Sequence, residues 1–107
     1  MVSSFQYRAF GQVIASEFPI DVLEPAPDET PTLQVRLASG LRRGRQAEDP
    51  FFDITPQRQF FEWAAVGAFE ITDPSCIFVD PRPDVSWRLV SQPLLGIVIS
   101  VALERLG

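Results

Sequence analysis

The chain of 107 residues is 46% apolar, has a formal charge of −5 and a pI near 4.5, and lacks His, Lys and Asn while containing nine Phe and fourteen acidic residues. Its length and apolar content fit one domain around one core. With no imidazole and no lysine amine, the usual catalysts of hydrolases, zinc enzymes and P-loop kinases are missing, and the acidic balance disfavours nucleic acid and anionic membranes as partners.

From Phe5 to Phe18, the apolar residues Phe5, Tyr7, Val13 and Ile14 predict one long strand, or a strand bulged at Gly11. Pro19 ends it, and Ile20, Val22 and Leu23 are apolar anchors beyond it. Residues 24–31, EPAPDETP, deny the backbone regular donors and predict an exposed, mobile acidic loop. Thr32 to Ala38 alternates, with Leu33, Val35 and Leu37 on one face, which is the period of a half-buried strand.

Residues 39–50 collect Arg42, Arg43, Arg45, Glu48 and Asp49 without periodicity and predict a mobile surface loop, pinned at its far end by Phe51, Phe52 and Ile54. Gln59 to Thr72 is either a tight hairpin or a strand bulged at Gly67. Asp73, Pro74 and Ser75 form a turn, so Gly67 to Asp80 reads as a β-hairpin. Asp84 is the candidate N-cap of a helix toward Leu106, which Pro93 either kinks or divides.

LLGIVISVALERLG at the end of this helix is apolar around most of its circumference, which calls for burial on more than one side. Its strongly apolar run, Pro93 to Leu103, is short of the roughly 20 residues that span a bilayer, so no transmembrane segment is expected. The start MVSSFQYRAF lacks a secretion-signal pattern, and the lone Cys76 cannot close an internal disulfide; both fit a cytoplasmic location. The expected fold is α+β: about five strands in an antiparallel or mixed sheet, with one long or Pro-broken C-terminal helix packed on it, over residues 1–107 as a single domain.

Three segments carry a resemblance: YRAFGQVIASEFPI at Tyr7 to Ile20, VGAFEI followed by IFVD within Val66 to Asp80, and LLGIVISVALERLG at Leu94 to Gly107. Together they resemble the N-terminal, non-catalytic region of bacterial kinase-like proteins related to HPr kinase/phosphatase. In that family the apolar helix leads into a strand similar to LHASAV and then a P-loop kinase domain. No stretch here matches G-x-x-x-x-G-K-[ST], so no nucleotide-binding or catalytic position carries over. Both a naturally short protein and a domain of a longer polypeptide fit this pattern.

The resemblance implies a non-enzymatic docking domain, without cofactor or metal, that holds a peptide or protein partner for a kinase domain. The alternative is a structural protein that self-associates with its own copy through Leu94 to Leu106. Candidate partner-binding residues are Arg42, Arg43 and Arg45, whose guanidinium forks match phosphate or acidic groups, and Trp87, Leu95 and Val98 on the C-terminal helix. A solvated loop balanced by Glu48 and Asp49 explains the same arginines. Glu62 and Glu70 are either a glycosidase-like carboxylate pair or outward-facing strand residues. Asp73, Asp80 and Asp84 depart from calcium-loop spacing and suit turns and caps; Cys76 reads as a buried thiol, and most of the aromatic residues as core.

Overall fold

The computed structural model describes residues 5–43 and 49–106. The first apolar segment forms two strands, β1 (Phe5–Ala9) and β2 (Gln12–Ser16), paired antiparallel with Tyr7 opposite Ile14. Phe10 and Gly11 between them have φ of 55° and 72°. Positive φ at both central positions is the tight hairpin turn whose twist matches the flanking strands. The expected single strand is thus a hairpin, and its turn was hidden because Phe stands where Asn, Asp or Gly usually sits.

After β2 the chain buries Phe18 and Ile20 completely, and the Ile20 N–H donates to the Tyr7 hydroxyl at 2.9 Å. It then reaches the outer edge of β1, where β3 (Glu24–Pro25) pairs antiparallel with Tyr7 and Arg8. Gln6 Nε2 donates to the carbonyls of Ala26 and Glu29 at 3.1 and 2.7 Å, and Arg8 pairs with Glu24 and Glu29. The proline-rich stretch therefore contributes a strand, because Ala26, which keeps its N–H, donates to Gln6 O at 2.9 Å.

β4 (Leu33–Leu37) returns to pair parallel with β2, burying Leu33 and Val35 as the alternation predicts, whereas Leu37 at the strand's end is exposed. The far half of the sheet is a meander of β5 (Phe51–Ile54), β6 (Gln59–Trp63), β7 (Gly67–Asp73) and β8 (Cys76–Pro81). β8 lies parallel to β4, with Val35 opposite Ile77. Among the described residues the sheet has eight strands in the order β3-β1-β2-β4-β8-β7-β6-β5, and it is mixed. The expected α+β class holds, but about five strands was an undercount. The first segment splits, the proline-rich stretch pairs, and Phe51–Ile54 forms a strand of its own.

Gly67 closes the turn after β6 with φ 146°, and a Cβ placed there would lie 2.4 Å from the Asp80 carbonyl oxygen. Only glycine allows β7 and β8 to approach so closely at this point.

The C-terminal segment forms one continuous helix: α1 (Trp87–Pro93), a wide π-type turn (Leu94–Val98) and α2 (Ile99–Leu106). Its N-cap is Ser86, whose hydroxyl accepts the Leu89 N–H at 3.2 Å, whereas Asp84 pairs with Arg82. Pro93 has no N–H to offer the preceding turn. The chain neither breaks nor starts anew there. It widens, and the Ile99 N–H bonds the Leu94 carbonyl five residues back.

Val90, Leu94, Val98, Ile99 and Ala102 are buried against Tyr7, Ile14, Leu33, Val35, Phe61, Phe69, Ile71, Ile77 and Val79, forming the core. The other side of the helix carries Arg88, Gln92, Gly96, Ser100 and Glu104, with Ile97 exposed among them. The sheet thus takes up one stripe of the helix, while Leu95, Val101 and Leu103 are half-buried and Ile97 is exposed, so burial on more than one side does not occur. From Trp87 to Arg105 the helix is 19 residues long with a mean hydropathy of 1.3, long and apolar enough by those measures to cross a membrane. The expectation had counted only the shorter run after Pro93.

These backbone constraints predict opposite outcomes in urea unfolding. Phe10→Asn, which suits the left-handed turn, raises stability by about 0.5 to 1 kcal/mol, whereas Gly67→Ala lowers it by more than about 2 kcal/mol. A neutral Gly67→Ala variant would contradict the close approach of the strands.

Candidate functional site

The helix covers one face of the sheet; strand alternation places Phe51, Asp53, Phe60, Glu62, Glu70 and Asp80 on the other. Residues 41–43 run over this second face. Asp80 Oδ2 accepts the N–H groups of Leu41 and Arg42 at 2.9 and 3.0 Å, and the Glu62 carboxylate accepts that of Arg43 at 3.1 Å. Both carboxylates are buried, Glu62 at 3% and Asp80 at 6% exposure, so their partners offset the cost of desolvation.

Arg42 Nε lies 3.4 Å from Asp80. The Arg43 guanidinium sits 4.4 Å from the Phe60 ring centre, with Arg58 5.0 Å from the same ring. Arg43 and Arg58 flank Asp53 at 3.9 and 3.7 Å, and Arg58 also pairs with Glu70. Arg42 and Arg43 thus face acids and rings of their own chain and do not converge on a vacant anion site; Arg45 lies outside the described residues. Glu62 and Glu70 are each engaged by their own donor, and Glu62 points into a covered face, not outward.

The remaining acids have local roles. Asp73 Oδ1 accepts the Ser75 N–H and hydroxyl, and these bonds hold its carboxyl below the usual range. Cys76 is half-buried, and burial pushes its thiol up, partly opposed by Arg36. Such a shift moves it away from nucleophilic chemistry at neutral pH. Among the described residues no group of His, Cys, Asp and Glu is arranged to hold a metal ion.

The feature best shaped for a partner is an open groove of about 380 Å³ between the segment after β2 and the start of the helix. Pro19, Asp21 and Val22 form one wall; Arg88, Ser91, Gln92 and Leu95 form the other. The walls are held together by Trp87 stacked flat on Phe18, with ring centres 4.8 Å apart and planes 13° from parallel. Ser91 Oγ is spent on the Trp87 carbonyl at 2.7 Å, which leaves Leu95, Val22 and Pro19 as the apolar lining.

Of the helix candidates, Leu95 lines this groove and Trp87 braces it. Val98 is fully buried in the core, since it follows Leu94 by four residues on the stripe that faces the sheet, and so it offers nothing to a partner. Sequence reasoning missed the neighbours Asp21 and Val22 and the distant Arg88, which the Phe18–Trp87 stack brings to one groove. No family model, curated protein or solved structure matches the chain.

The strap over the second face makes Asp80 structural. Asp80→Ala strands the Leu41 and Arg42 amides and is expected to cost about 2 kcal/mol in urea unfolding, while the exposed Asp84→Ala stays within about 0.5 kcal/mol of wild type. Equal effects would show that the strap does not depend on that carboxylate.

Proposed function

We propose that the chain is a non-catalytic docking module that acts in the cytoplasm and resembles the N-terminal domain of HPr kinase/phosphatase-related proteins. It holds a peptide or protein partner for a kinase domain that performs phosphoryl transfer. The observation that carries this reading is the open groove beside Trp87, with apolar residues inside and charged residues at its rim. In keeping with it, Glu62, Glu70 and Asp80 are all engaged by the chain's own donors.

Self-association through the C-terminal helix draws less support. That helix turns Leu94, Val98, Ile99 and Ala102 toward its own sheet, and its outer side offers one well-exposed large aliphatic residue, Ile97 at 45% exposure.

Selection from a phage-displayed peptide library against the full chain tests the docking reading. Enriched peptides are expected to bind with micromolar affinity and to lose at least about tenfold on Val22→Asp, a change at a 67% exposed position that leaves the fold intact. Failure to enrich any peptide, or binding that ignores Val22→Asp, would overturn it. Calorimetry with ATP and magnesium should give no binding heat; micromolar nucleotide affinity would refute the non-catalytic assignment.

A further inference from the structure

The groove walls differ in charge. Asp21 stands on the loop wall and Arg88 on the helix wall, both exposed, and neither has an ion-pair or hydrogen-bond partner among the described residues. Among the described arginines Arg88 is exceptional in this respect. Arg8, Arg42, Arg43, Arg58 and Arg82 each pair with an acid, while Arg36 and Arg105 donate to Gln34 and Gln59. The two free charges are too far apart to bond each other and have the apolar surfaces of Pro19, Val22 and Leu95 in the same groove.

Building on the docking reading, we infer that the groove takes a peptide segment in which an apolar side chain lies between one basic and one acidic residue. The apolar side chain fills the space lined by Pro19, Val22 and Leu95. The acidic residue meets the Arg88 fork, and the basic residue meets Asp21. A segment with acids on both sides would set one of them against Asp21 on a chain whose net charge is already −5. A segment with two basic residues would bring one of them against Arg88. Each mismatch repels, so the pair of charges selects by exclusion as well as by attraction.

Short synthetic peptides with the cores Lys-Leu-Glu, Glu-Leu-Glu and Lys-Leu-Lys, titrated into the 15N-labelled full chain by NMR, provide the test. The mixed peptide is expected to shift the amides of residues 20–22 and 88–95 saturably and to bind at least about fivefold tighter than either like-charged peptide. Arg88→Glu should transfer the preference to Lys-Leu-Lys, and Asp21→Arg should transfer it to Glu-Leu-Glu. Both positions are exposed, so the variants keep the fold, which an unchanged amide spectrum away from the groove verifies. Equal binding of the three peptides at the groove would overturn the charge rule while leaving the docking reading standing. Absence of groove shifts with all three would overturn this inference, and the library selection then decides the docking reading separately.

Discussion

The seating of one helical stripe on the sheet is the constraint from which the rest of the molecule follows. Val90, Leu94, Val98, Ile99 and Ala102 are all at or near zero exposure, and they meet residues from β1, β2, β4, β6, β7 and β8. A fully buried aliphatic side chain contributes about 1.5 to 3 kcal/mol, so this stripe is a major share of the driving force. Pro93 makes the stripe's geometry unusual. In a regular helix, residues 90, 94 and 98 drift around the axis, because four residues exceed one turn. The wide turn at Leu94–Val98 adds to the residues per turn and so offsets that drift, which keeps Val90, Leu94 and Val98 on one stripe facing the sheet.

With the helix fixed there, its first turn lands beside the segment leaving β2. Phe18 stacks on Trp87, and the groove between Val22 and Leu95 is what remains open where the two walls part below that stack. Packing thus positions the surface proposed for a partner: the helix forms one wall, and the loop between β2 and β3, braced by the Phe18–Trp87 stack, forms the other. The second face of the sheet is closed by a different device, in which buried Asp80 and Glu62 serve as acceptors for the successive amides of Leu41, Arg42 and Arg43. There the arginines complete the fold, and the proposed binding surface lies elsewhere.

Local rules were readable where they concerned a single strand or turn. The alternation around Leu33 and Val35, the turn at Asp73–Ser75 and the existence of a C-terminal helix all follow from residue periodicity and turn chemistry. The count of strands did not, because Phe10 occupies a left-handed turn position that its type disfavours and because Pro25 masks a strand that pairs through its neighbours. Val98 was a candidate for a partner because the helix is apolar around most of its circumference, and composition alone does not tell which of its apolar residues the sheet claims. Burial of Glu62 and Asp80 depends on a strap contributed from some 20 to 40 residues away in the chain, and no local pattern announces it. Asp21 and Arg88 were invisible as a pair for the same cause.

The orientation of the helix can be tested by placing one charge on each side of it. Urea unfolding of Val98→Asp and Ile97→Asp, adjacent substitutions of similar chemistry, reads the orientation directly. Val98→Asp should lose more than about 3 kcal/mol or fail to fold, since it buries an unpaired carboxylate, while the exposed Ile97→Asp should stay within about 1 kcal/mol of wild type. The reverse order, or equal losses, would contradict the seating of this helical stripe on the sheet and with it the position of the groove.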